Sequence, residues 1–197
     1  MSASVSSAAL SNPIEISVLV PVMNEAGNIE LLVDEICAAF KGRRFEIIYI
    51  DDASTDDTAA ELFALLEKVP QLRVLRHAKR SGQSAAIWSG LWQARGVLIG
   101  VIDGDGQNVP SDFPALETAL LDQSGCPAMA AGIRQRRNDG QARLLASRAA
   151  KWIRASLLSD MHPDSGCGIK ILPRNLFLQL PFFNHMHRFN AQFSADV

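Results

Sequence analysis

Short apolar runs alternate along the chain with stretches whose apolar residues recur at helical spacing. Ile14 to Val22 is apolar and β-branched, which predicts a first buried strand. Ile29, Leu32, Val33, Ile36 and Phe40 then recur every three or four residues and predict a helix. Phe45 to Ile50 reads as a second strand, and Thr58 to about Lys68 as a helix with acidic residues at its start, where they suit the helix dipole. Leu72 to Leu75 is a short third strand. Ser81 or Ser84 would cap a helix running to about Ala94. The run from Val97 predicts a fourth strand, Ser111 would cap a helix through Leu121, and Ala128 to Ile133 predicts a fifth strand. Such alternation argues an α/β fold with a mainly parallel sheet and right-handed crossovers.

Beyond Ile133 the pattern changes. Arg134, Arg136 and Arg137 form a basic cluster. Ala142 to Leu158 then places Arg143, Arg148, Lys151 and Arg154 on one side of a helix and Leu145, Ala149, Trp152, Ile153 and Leu157 on the other. Two readings stand: a helix packed on the sheet with solvated arginines, or a helix at a membrane surface or an anionic acceptor. Ile169 to Leu172 reads as a strand and Pro173 to Leu180 as a short helix. His185 and His187 lack a third metal ligand beside them, so a surface or phosphate-facing role is preferred.

Composition narrows the class. With 197 residues one domain is expected, with boundaries at about 14 and 189 between a Ser/Ala-rich tail (1–13) and an atypical end (190–197). The formal charge of −2 argues against a nucleic-acid binder. Cys37, Cys126 and Cys167 are odd in number and lack C-x-x-C spacing, which fits a reducing compartment and argues against a disulfide framework or zinc site. The tail has neither the basic start nor the apolar core of a signal peptide. The most apolar region, Ala85 to Ile102, is broken by Gln93 and Arg95, so a peripheral membrane contact is the one expected.

The candidate chemistry sits where predicted strands end. Strand one runs into Asn24 and Glu25, strand two into Asp51 and Asp52, and strand four into Asp103 and Asp105. In a parallel sheet these ends lie side by side, at the edge where open α/β sheets bind ligands. Amide and carboxylate groups there suit the base and ribose of a nucleotide, and a hard cation such as Mg²⁺ or Mn²⁺ suits its diphosphate. Asp103, Asp105 and Gln107 alternate along one extended segment, an arrangement compatible with one ion. Gly104 and Gly106 would leave room for a bulky charged ligand. A polar turn is the competing reading. A dinucleotide G-x-G-x-x-G, a P-loop and an EF-hand are all absent.

Seven segments together carry a resemblance. They are V-L-V-P-V-M-N-E (18–25), I-I-Y-I-D-D-A-S-T-D-D-T (47–58), R-S-G-Q-S-A-A (80–86), I-D-G-D-G-Q-N-V-P (102–110), G-I-R-Q-R-R-N-D (132–139), D-S-G-C-G-I-K (164–170) and M-H-R-F (186–189). From about Ile14 to Phe189 the chain resembles glycosyltransferases of family 2, in the branch of the dolichol-phosphate mannosyltransferases and polyprenyl-phosphate glycosyltransferases. The resemblance implies a GT-A fold, Rossmann-like, with helices on both faces of the sheet. It implies that the segment from Pro21 through Asn24 to Glu25, together with Asp52, contacts the nucleotide. It further implies that Asp103, Asp105 and Gln107 hold a Mg²⁺ or Mn²⁺ ion and the donor diphosphate. Arg134 and Arg188 would bind phosphate, and Asp164 would border the acceptor site.

The implied reaction moves a hexose from a GDP- or UDP-linked donor to a polyprenyl or dolichyl phosphate, with inversion at C1, at the cytoplasmic membrane face. A lipid phosphate is largely dianionic near neutrality, so arginines that orient it matter more than a general base. A sugar hydroxyl acceptor would instead call for a base, with Asp164 or Asp139 as candidates. The Q-x-x-R-W string of processive synthases is absent, which favours single transfer. Two other readings compete. A phosphohydrolase with Asp103 as nucleophile would want Thr or Val at Gln107. A nucleotide-sugar-binding remnant would follow from the departure from the family pattern after Phe189.

Overall fold

The computed structural model describes residues 13–122, 129–132 and 168–182. In chain order the elements are β1 (Ile16–Val22), α1 (Ile29–Ala39), β2 (Phe45–Asp51), α2 (Thr58–Leu65), β3 (Leu72–Arg76), α3 (Gln83–Gln93) and β4 (Leu98–Val101). A 3-10 turn (Pro110–Asp112) leads into α4 (Phe113–Leu121), followed by β5 (Ala130–Ala131), β6 (Lys170–Pro173) and α5 (Arg174–Gln179). The six strands form one sheet in the order β3-β2-β1-β4-β6-β5.

The first four strands are parallel, with Ile16 opposite both Phe45 and Leu98. From β1 the chain moves outward through β2 and β3, then returns to lay β4 on the other side of β1. That reversal opens a crevice at the carboxyl ends of β1 and β4, the position where such sheets take ligands.

Strand periodicity divides the core into two layers. Ile16, Val18, Val20 and Val22 face α1, α2 and α4, meeting Leu32, Val33, Ile36, Leu62 and Phe113. Leu19, Ile48, Ile50, Ile99 and Val101 face α3 and α5, meeting Ala86, Ile87, Leu91 and Phe177. Helices therefore cover both faces, which is why β1 is buried along its whole length and reads as a continuous apolar run.

Several local expectations are corrected. The fifth strand is only Ala130–Ala131, and β6 separates it from β4. β6 runs antiparallel to β4, so the right-handed crossover rule does not govern that edge. Helix α2 ends at Leu65 rather than Lys68. Neither Ser81 nor Ser84 caps α3: the N-cap is Gly82 at φ 90°, ψ 157°, with no side-chain cap bond. Ser111 does not cap α4 either. It lies in the 3-10 turn, where Pro110 and then Pro114 fix the backbone without a capping side chain. The tail before Pro13, the helix expected over 142–158 and the end after Phe182 lie outside the described residues.

At the amino ends of the strands a buried polar knot closes the sheet. The Ser17 hydroxyl donates to Glu46 Oε1 at 2.7 Å, and the Arg95 and Gly96 N–H groups donate to Ser17 Oγ at 3.2 and 2.8 Å. Arg95 N–H also reaches Glu46 Oε1 at 2.7 Å, and Arg73 Nη1 donates to Glu46 Oε2 at 2.9 Å. A Cβ at Gly96 would stand 2.4 Å from the Ser17 nitrogen, so only glycine permits this approach.

Candidate functional site

The opposite, carboxyl ends of the strands surround a cavity of about 300 Å³. Its walls come from four places: Pro21, Val22, Met23 and Glu25 after β1, Asp52 after β2, Arg80, Gly82, Gln83 and Ala86 around the start of α3, and Asp103, Gly104 and Asp105 after β4. Four acidic residues and one arginine thus line the same cavity.

The loop after β1 is fixed by side chains rather than by its own backbone. Four successive amides each find an acceptor on the segment after β2. Asn24 N–H donates to Ser54 Oγ at 3.0 Å, Glu25 N–H to Thr58 Oγ1 at 2.9 Å and Ala26 N–H to Asp56 Oδ2 at 3.2 Å. Gly27 N–H donates to both Glu61 carboxylate oxygens at 3.0 Å. Asn24 itself adopts φ 58°, a left-handed conformation its short amide tolerates, and its Oδ1 accepts the Thr55 N–H at 2.8 Å. Asn24 therefore shapes the loop and does not line the cavity, whereas Pro21 and Glu25 do.

Of the two acids at the end of β2, Asp51 is fully buried, accepts Ser54 N–H at 2.8 Å and has Arg76 Nε 3.1 Å from its other oxygen. Asp52 reaches the cavity wall with its oxygens already engaged. Oδ1 accepts Ser81 N–H at 2.8 Å and lies 2.7 Å from His77 Nδ1, while Oδ2 accepts Gly82 N–H at 2.7 Å. His77 Nε2 is in turn 2.9 Å from Ser89 Oγ. Burial pushes the Asp52 carboxyl upward, but the bonds from His77, Ser81 and Gly82 outweigh it and hold the pKa below the ordinary value. Asp52 thus pins the turn that leads into α3, by way of the two amides just before the helix rather than those of its first turn.

After β4, Asp103 Oδ1 accepts a hydrogen bond from Gln83 Nε2 at 2.6 Å. Asp105 Oδ1 accepts the Gln107 backbone N–H at 3.1 Å. The Gln107 side chain is exposed and is not part of the cavity wall, so the expected trio is represented there by its two carboxylates. Both glycines also answer a demand of the fold. A Cβ at Gly104 would meet Val22 Cγ1 at 2.3 Å, and Gly106 turns the chain at φ 69°.

Among the described residues no three His, Cys, Asp or Glu side chains form a ready metal cage. Two carboxylates in an open cleft nevertheless suit Mg²⁺ or Mn²⁺, which complete their coordination with water and substrate phosphate oxygens. A wall this acidic would weaken the hold on a diphosphate that no cation accompanied, so the donor set fits such an ion. Arg134, Asp164 and Arg188, together with Asp139, His185 and His187, lie outside the described residues. Arg80, Gln83 and His77 were given no role by sequence reasoning. For the first two the signal was present in the Ser-Gly dipeptide before a helix, a turn that delivers its flanking side chains to the strand-end edge.

An open α/β sheet with a crevice at its switch point is an architecture that takes ligands at that edge. Residues 17–176 match the family described as Glycosyl transferase family 2, and the chain belongs to that family. It is 32% identical over 192 residues to the dodecaprenyl-phosphate galacturonate synthase of Rhizobium johnstonii, covering 93% of this chain and 55% of that one. Over 110 residues it is 36% identical to the dolichol-phosphate mannosyltransferase of Pyrococcus furiosus, covering 56% of this chain and 31% of the other. Among solved structures, glucosyl-3-phosphoglycerate synthase from Mycobacterium tuberculosis in complex with Mn²⁺, UDP-glucose and phosphoglyceric acid superposes with a TM-score of 0.66 at 26% identity. That match covers 85% of this chain and 59% of that one. The chain spans about half the length of several curated relatives it matches. Among the described residues no helix is long and apolar enough to cross a membrane.

Proposed function

We propose that this protein is an inverting, metal-dependent glycosyltransferase that moves a hexose, of mannose or glucose type, from a GDP- or UDP-linked donor to a polyprenyl phosphate. The observation that carries the reading is the single cavity in which Asp52, Asp103, Asp105 and Glu25 meet Arg80 at the sheet's switch point. The polyprenyl-phosphate and dolichol-phosphate relatives support the acceptor class. Pro21, Glu25 and Asp52 form the nucleotide wall, with Asn24 holding its loop. Asp103 and Asp105 would hold the ion. When bound, Mg²⁺ or Mn²⁺ neutralises the charge that grows on the leaving diphosphate. Arg80 adds a fixed positive charge beside the same phosphates. Arg134 and Arg188 orient the acceptor phosphate, and Asp164 borders it. The phosphate is its own nucleophile, and its attack opposite the leaving group inverts C1. The acceptor's lipid chain calls for peripheral contact with the membrane surface.

The test is transfer of labelled sugar from a panel of GDP- and UDP-linked donors to a short-chain polyprenyl phosphate, with and without Mg²⁺ or Mn²⁺. Metal-dependent formation of a lipid-phosphate sugar of inverted anomeric configuration is expected. Transfer to a hydroxyl acceptor and none to the lipid phosphate would overturn the acceptor assignment.

A further inference from the structure

The three residues at the start of α3 touch both halves of the cavity. Ser81 and Gly82 give their backbone N–H groups to Asp52. The next residue, Gln83, gives its side-chain Nε2 to Asp103 Oδ1 at 2.6 Å. Between them Gly82 adopts φ 90°, a backbone shape L side chains avoid. On its far side Asp103 abuts Gly168, where a Cβ would come within 2.0 Å of Oδ2. The carboxylate is thus held between the Gln83 amide and the Gly168 backbone. Asp105 is oriented differently, by an amide of its own turn.

We propose that Gln83 is a positioning residue for the ion site: its amide fixes the carboxylate of Asp103, and the 81–83 turn links that carboxylate to Asp52 on the nucleotide side. This rests on the reading of Asp103 and Asp105 as the ion's carboxylates. A neutral amide suits the task. It donates a charge-assisted hydrogen bond to the aspartate without setting a positive charge beside the cation, as lysine or arginine would. The partner that orients a metal-binding carboxylate matters to affinity almost as much as the ligand itself.

The full chain is assayed as wild type and as Gln83→Leu, which removes the donor and keeps the bulk. Mn²⁺ affinity is read by electron paramagnetic resonance with saturating UDP, then GDP. Metal-free nucleotide binding and the thermal midpoint are measured alongside. In Gln83→Leu the Mn²⁺ affinity is expected to fall roughly ten- to hundredfold, with metal-free nucleotide binding and the midpoint unchanged. Should that variant fail to fold, Gln83→Asn, one methylene too short to reach, is read in the same way. A variant that binds Mn²⁺ as the wild type does overturns the inference and leaves the site assignment standing. A parallel fall in metal-free binding and thermal midpoint also overturns it, leaving Gln83 a purely structural role. A wild type that binds no Mn²⁺ with either nucleotide removes both the inference and the reading beneath it.

Discussion

The two ends of the central sheet are built from similar residues and used differently. At the amino end, Glu46 is 3% exposed and gives both its oxygens to Ser17, Arg73 and the Arg95 backbone. At the carboxyl end, Asp103 and Asp105 stand in the wall of an open cavity, and Asp52 reaches that wall while anchoring the start of α3. A buried acid whose partners are all protein groups contributes to stability and has little left to offer a ligand. Acids facing a cleft keep charge available for a cation. Acidic character alone therefore does not mark the site; the edge of the sheet on which the acid lies does.

The contrast can be broken from either side. The largest effect is expected at the open end. Asp105→Ala should lower transfer about a hundredfold to a thousandfold and abolish metal-dependent nucleotide binding, with the thermal midpoint unchanged. Steady-state transfer, calorimetry and thermal melting on the same samples check this. Next comes Glu46→Ala, which strands Arg73, Ser17 and the Arg95 amide and should cost about 3 kcal/mol of stability in urea unfolding. Metal-dependent nucleotide affinity of the folded protein should stay the same; a loss there would mean the two ends are not independent.

Asp52 sharpens the comparison because it belongs to both roles. Its folded pKa lies below the ordinary 3.8, so it contributes stability fully above that value and loses it as pH falls through the lowered one. The gap in urea midpoint between wild type and Asp52→Asn should therefore be level from about pH 7 to pH 5 and should close only in strong acid. A gap that already closes between pH 7 and pH 5 would overturn this assignment. The smallest effect is at Ala53, which sits at φ 62° between Asp52 and Ser54. Ala53→Gly should raise stability by about 1 kcal/mol in urea unfolding without altering nucleotide binding.

Much of this architecture was legible in the chain. Ile14 to Val22 and Phe45 to Ile50 announced buried parallel strands, and Asp52, Asp103 and Asp105 were found from their places at strand ends. Less legible were contacts between segments far apart in sequence. Nothing local in Phe45-Glu46-Ile47 says that Glu46 will meet Ser17 and Arg95. Nothing in Gly104 says that its missing side chain makes room for Val22. Ser111 looked like a cap because serine before an apolar run usually is one, yet two prolines had already set that turn. The acids around the start of α2 read as partners of the helix dipole, yet Asp56 and Glu61, together with Ser54 and Thr58, accept the amides of residues 24–27.

That last arrangement has a kinetic consequence. A loop whose successive amides are already bonded in the free protein has little freedom left to surrender when a ligand arrives. Preorganisation of this kind spares the association step its ordering penalty, so changes to the loop's side-chain acceptors should register mainly in how long the nucleotide stays bound. Amide hydrogen exchange offers the direct view. Asn24 to Gly27 should exchange slowly before any nucleotide is added, and Thr58→Val should speed exchange at Glu25 and shorten the residence time of the complex.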